Sequence, residues 1–229
     1  MHASRCSVSF LPSTSHRFDS IAERTALLLA VLLALAVPLS AQKSPPGTMP
    51  QVVVVFNLAS SDLSVIDHKY RVFFNKYEKK NLPIEGYDLL GAIRDEVMNT
   101  LTADKRFQWR VATDADKLDA AQLADEKHRT PQMLSSAQAD RVLVVDVDGF
   151  GAFITGLAQD RMDITADVTM LDRASGRKLW KTRIWEKIPF SGDLEKLQAE
   201  NQKELKEGIN SLIEKACQKL QTKVAESKV

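Results

Sequence analysis

Cysteine is almost absent from this chain: of 229 residues only Cys6 and Cys217 carry a thiol, and Cys6 lies in a segment that reads as a removable leader. With Cys217 alone in the remainder, no intrachain disulfide can form, and stability in an oxidising compartment has to come from packing. Histidine is scarce as well. Beyond the head only His68 and His128 remain, both among polar neighbours, which offers no base beside a nucleophile and no imidazole cluster for a metal. Nor is there an excess of one charge. The 31 Lys+Arg and 30 Asp+Glu become 28 of each once Arg5, Arg17, Arg24, Asp19 and Glu23 of the head are set aside. A balanced chain has no long-range field to gather nucleic acid or anionic lipid, so no nucleic-acid partner is expected. Internal repeats, low-complexity tracts and an interdomain linker are all missing.

What is present begins with the amino terminus. Three arginines precede an apolar run from Ala26 to Val37, and Leu39-Ser40-Ala41 supplies a small-residue exit. The uncharged stretch from Thr25 to Ala41 is 17 residues, short of the roughly 20 that a spanning helix needs. Residues 1–41 therefore read as a signal peptide. Gln42 stands where a lipoprotein would carry its lipidated cysteine, so cleavage is expected to release a free amino terminus into the periplasm or the medium. Residues 42–50 hold Pro45, Pro46, Gly47 and Pro50 and read as a flexible arm. Residues 51–226 form one domain, and the 188 residues left after cleavage suffice for a substantial core.

The hydrophobic pattern predicts its elements. Val52 to Phe56 are apolar on both faces, as in a central strand covered on two sides. A second strand is expected over Tyr70–Asn75. Leu89, Leu90, Ile93, Val97 and Leu101 recur at helical spacing after Asp88, a candidate cap. Phe107, Trp109 and Val111 alternate as a half-buried strand. Asp114 or Asp116 is expected to cap a helix with Leu118, Ala121 and Ala124, and Pro131 to open a short one with Met133 and Leu134. Val142 to Val147 form a second buried strand. Met162 to Met170 and Trp180 to Ile188 make a hairpin across Ala174-Ser175-Gly176. After Asp193, one stripe from Leu194 and Leu197 to Leu220 and Val224 predicts a long final helix. Gly208 inside it costs roughly 1 kcal/mol relative to Ala, which suggests a close approach to a strand. The whole is an α+β single domain: a mixed sheet of about five to six strands, helices packed on it, and a long C-terminal helix.

The succession Val52-Val53-Val54-Val55-Phe56-Asn57, Leu101…Arg106-Phe107, Ala139-Asp140-Arg141-Val142-Leu143-Val144-Val145 and Asp172-Arg173-Ala174-Ser175-Gly176-Arg177-Lys178-Leu179-Trp180 resembles envelope proteins with the TolB amino-terminal-like fold. That group includes the penicillin-binding-protein activator lipoproteins and the curli-secretion lipoprotein. The resemblance spans most of residues 51–224 and is one of pattern, without a diagnostic motif. Gly192-Asp193-Leu194 at the last helix is similar to auxiliary lipoproteins of lipid-transport systems. Both resemblances imply a non-enzymatic binding, scaffolding or assembly factor with an envelope protein partner and no cofactor. Gln42 departs from both groups and leaves lipid anchoring without its attachment point.

Candidate chemistry is sparse. Asp146-Val147-Asp148-Gly149 starts like a calcium loop but lacks the further oxygen ligand and the distal Glu. Gly149-x-Gly151 lacks the third glycine and the helix of a phosphate cradle. Neither a metal nor a cofactor site is expected. Cys217 beside an apolar stripe reads as a small buried residue. An enzyme reading would need Asp146, Asp148 and Asp163 to converge in a cleft. One segment stands out: residues 149–158 are uncharged and apolar where a connecting loop should be polar. Two readings stay open. Either both strands extend and Phe150, Phe153 and Ile154 fill the core, or Phe150, Phe153, Ile154 and Leu157 form an exposed tip that contacts a partner or a membrane. The charged run Lys76, Glu78, Lys79 and Lys80 is another candidate contact surface, against the plainer reading of a solvated loop.

Overall fold

The computed structural model describes residues 48–71, 74–154, 160–190 and 202–229, all within the compact unit Lys43–Val229, with the side chains of residues 67–78 outside the description. The expected signal peptide, most of the arm, Leu157, and the Asp193 cap with Leu194 and Leu197 lie outside the described residues.

Strand β1 (Gln51–Leu58) is the buried centre expected of a valine run. Val52 and Val54 join one apolar cluster, Val53 and Val55 a second on the opposite face, and all four are at most 4% exposed. β1 runs parallel to the short β4 (Gln108–Val111) and to the first half of β5 (Arg141–Ile154). β2 (Leu63–Arg71) and β3 (Phe74–Leu82) form a hairpin, and β2 lies parallel along the second half of β5, from Ser64↔Gly151 to Asp67↔Ile154. On its other edge β5 pairs antiparallel with β6 (Arg161–Asp172), which pairs in turn with β7 (Lys178–Pro189). The result is a seven-stranded mixed sheet. The single strand expected over Tyr70–Asn75 is instead the end of β2 and the start of β3. The charged run read as a loop belongs to β3. That strand is an edge, and edge strands carry charge for the same reason loops do: their outer side meets water.

Helix α1 (Leu89–Thr102) starts at Asp88, whose Oδ1 accepts the Gly91 backbone N–H at 2.9 Å, and buries Leu89, Ile93, Val97 and Leu101. Helix α3 (Lys203–Glu226) buries Leu205, Ile209, Leu212, Ile213, Ala216, Leu220 and Val224. Both cover the same face of the sheet. Gly208 is there because a Cβ would run into the Met162 methyl group on β6, so the approach inferred from the sequence is real. Gln202, 6% exposed, fixes the start of α3: it accepts the Glu85 backbone N–H at 2.9 Å and donates to the Pro83 carbonyl at 3.2 Å. Arg106 donates to the Val224 and Ser227 carbonyls at the other end, where a cation also suits the helix dipole.

The opposite face has a thinner layer. A 3-10 turn at Asp114–Asp116, the short α2 (Ala120–Ala124) and a 3-10 turn at Pro131–Leu134 cover Val53, Val55, Val142, Val144 and Leu171. Asp119, rather than Asp114 or Asp116, caps α2 by accepting the Gln122 N–H at 3.0 Å. Asp116 has another task. It is 1% exposed, takes both guanidinium nitrogens of Arg110 at 2.7 Å, and accepts the Thr113 and Gln138 backbone N–H groups. This ties the turn to β4 and to the approach of β5.

Candidate functional site: the open face of the sheet

The thin layer covers only the first half of β5. Beyond it the outer face of β5, β6 and β7 carries a set of polar and aromatic side chains, and one extra residue on β5 decides which side chains those are. Leu143, Val145 and Val147 face the helices; the register then shifts between Val147 and Gly149, and Phe150, Ala152 and Ile154 face the helices instead. A β-bulge at Asp148 changes the parity of the alternation. Phe150 and Ile154 are therefore core residues, each 8% exposed. The exposed-tip reading does not hold for these two, whereas the extension of both strands does. Phe153 falls on the other face, half-buried, with the Arg161 guanidinium 4.7 Å above its ring. Leu157 lies outside the described residues.

Three rows cross this face, set by strand register. Trp185, Thr165 and Gly149 are successive cross-strand partners, flanked by Lys187, Asp163 and Gly151 on one side and by Arg183, Asp167 and Asp146 on the other. Trp185 is 52% exposed and has the Lys187 ammonium 5.7 Å from its ring. Lys187 makes no ion pair among the described residues. The other charges are matched. Arg183 is 3.0 Å from Asp148 and 3.6 Å from Asp167, while Lys181 is 2.9 Å from Asp167 and 3.2 Å from Glu126. Arg161 lies 3.7 Å from Asp163, whose carboxyl is pushed above the ordinary range by burial, with the Arg161 charge opposing the shift.

At the Gly149 end the face drops into a depression of about 260 Å³ lined by Ser60, Asp62, Ser64, Lys79, Asn81 and Asp148. It opens where β1 leaves the edge of β5 at Val147 and β2 joins that edge at Gly151. Glycine is required at 151, because a Cβ would stand 2.5 Å from the Ser64 carbonyl oxygen. The outer edge of β7 is occupied: Lys219 of α3 donates to the Trp185 carbonyl at 3.0 Å and to Glu186 at 2.7 Å. An incoming strand would have to displace it.

The carboxylates of the enzyme reading have separate partners. Asp146 accepts from Asn57 at 2.7 Å, Asp148 holds Arg183, and Asp163 faces Arg161. Among the described residues no group of His, Cys, Asp or Glu is placed to share a metal ion. Cys217 is buried, 3% exposed, and its thiol is pushed up to about 12, mainly by burial and then by the Glu96 charge, so the small-residue reading stands. Trp185 went unnoticed in the sequence. Its signal was present: it sits one residue out of phase with Ile184 and Ile188, in the register of Lys181, Arg183 and Lys187.

No protein-family model matches the chain, and no characterised protein matches it in sequence. In structure it is similar to a hypothetical protein from Chlamydia trachomatis, with a TM-score of 0.50 at 10% identity, covering 78% of this chain and 97% of that one. A protein of family DUF330 from Xanthomonas campestris gives a TM-score of 0.44 at 12% identity, covering 79% and 84%. A lipoprotein from Neisseria meningitidis gives 0.40 at 12% identity, covering 78% and 100%. The first of these shows a shared fold.

Proposed function

We propose that this chain is an exported binding domain of the cell envelope that acts through the open face of its sheet rather than by catalysis. The observation that carries the reading is asymmetry of cover. Two helices pack on one face, a thin layer covers half of the other, and the half that the described residues leave open carries Trp185, the most exposed of their large hydrophobic side chains. The leader supports export, and Gln42 supports a released rather than lipid-anchored form. Asp146, Asp148, Asp163 and Asp167 on this face are held by cations or an amide, an arrangement suited to presenting a fixed surface.

The experiment is mass determination of the purified amino terminus together with capture from an envelope fraction. A chain starting at Gln42 is expected, with envelope material retained by the wild type and lost by Trp185→Ala. An unprocessed cytoplasmic chain would sink the export reading. Capture that is indifferent to Trp185 would move the working surface elsewhere.

A further inference from the structure

The geometry points to a short neutral oligosaccharide as the ligand of this face, an inference that rests on the reading of the chain as a binding domain. Trp185, Thr165 and Gly149 stand in one cross-strand row, and strands lie about 4.8 Å apart, so the row runs about 10 Å from an exposed indole to a glycine floor. It descends there into the 260 Å³ depression. An extended, flat ligand fits such a path: one ring lies on the indole, the chain crosses the small Thr165, and the next ring enters the depression.

Chemistry selects the ligand class. Among the described residues Trp185 is the exposed aromatic of this face, and Phe153, further along β5, is half-buried beneath Arg161, so the apolar surface is divided rather than contiguous and makes a poor anchor for a hydrophobic protein interface. Acidic side chains at Asp148, Asp163 and Asp167 stand among the basic ones, which disfavours an anionic bilayer or a polyanion. A sugar matches both features. Its C–H face lies on an aromatic plane, and each hydroxyl donates and accepts, so it can use carboxylate and ammonium partners side by side. The row beside Trp185 offers that alternation in Lys187 and Asp163, and the depression offers Ser64, Asn81, Lys79 and Asp62, none of whose side chains bonds elsewhere among the described residues. Lys187, 5.7 Å from the indole and in no ion pair among the described residues, can swing off the ring to meet a ring substituent.

The test titrates the mature chain with the tetramer of N-acetylglucosamine and with cellotetraose, following tryptophan emission and heat. Saturable binding of at least one is expected, weakened roughly tenfold by Trp185→Ala, preserved by Trp185→Phe, and unchanged by Leu179→Ala, which alters another exposed apolar residue. Thermal midpoints of the variants are expected to match the wild type. The inference is overturned if neither tetrasaccharide binds saturably, if Trp185→Ala binds as well as wild type, or if Trp185-dependent binding is confined to phosphatidylglycerol vesicles or to an envelope protein. In that last case the binding-domain reading survives, whereas an unprocessed amino terminus would remove the export reading and leave the sugar titration standing.

Discussion

Phe150 and Phe153 are three residues apart on the same strand and have opposite fates. Phe150 is enclosed between sheet and helices; Phe153 lies on the open face with an arginine over its ring. The same contrast runs through the whole sheet. On the helix side the buried contacts are mainly apolar and interlocked, down to the glycine that lets α3 touch Met162. On the open side the side chains are paired by charge and stay partly in water. One face is built to hold the domain together, where a lost methylene is costly. The other is built of contacts that contribute little to folding, and its side chains can be exchanged without unfolding the chain.

This contrast can be broken by a graded series of substitutions. The largest effect is expected from Phe150→Ala, about 3–5 kcal/mol of stability lost because the neighbours cannot close the cavity. Phe153→Ala should cost far less, and denaturant unfolding of the pair measures the difference. Equal losses would erase the distinction between the faces. Next comes Asp116→Asn, which leaves the partly exposed Arg110 guanidinium facing a neutral amide; about 2 kcal/mol is expected. Its pH dependence sharpens the point. The Asp116 carboxyl is held well below the usual range, first by the Arg110 hydrogen bonds and then by the Thr113 and Gln138 N–H groups. A depressed carboxylate stabilises the fold above its unfolded value of about 3.9 and loses that contribution as pH falls toward its folded value. The wild type should therefore lose stability more steeply than Asp116→Asn below about pH 4, which acid titration of the unfolding midpoint would reveal.

Gly208→Ala is expected to destabilise by about 1–3 kcal/mol through overpacking against Met162, even though alanine is the better helix former. A stabilised variant would mean that Met162 has room to turn away. The smallest effect belongs to Trp185→Ala. Its thermal midpoint should stay close to that of the wild type, within about 0.5 kcal/mol, although it removes the largest exposed side chain of the open face. A large loss there would place the indole in the folding core and withdraw it from the binding surface.

Much of the frame was legible because it depends on local periodicity. The all-valine run of β1, the Asp88 cap and stripe of α1, the Pro131 turn, the β6–β7 hairpin and the Gly208 contact all follow from patterns a few residues long. The β2–β3 hairpin was missed because a charged edge strand and a charged loop have the same composition. Asp116 was read as a cap because its partner Arg110 becomes a neighbour only when β4 takes its place in the sheet. The candidate site was the least legible part. Phe150, Phe153 and Ile154 stood out as apolar, but a single inserted residue at Asp148 sorts them onto two faces, and a one-residue bulge leaves no mark in composition.

By itself the sequence determined the leader-like pattern of the amino terminus, the need of Cys217 to be packed away, the mixed α+β class and the amphipathic helices, because each of these follows from residue type and short-range spacing. Tertiary structure alone decided which face of β5 each aromatic meets, that Trp185, Thr165 and Gly149 stand in one row, and that the gap between β1 and β2 opens a depression beside them. Those are facts of strand register, fixed by hydrogen bonds between residues far apart in the chain, and no local pattern encodes them.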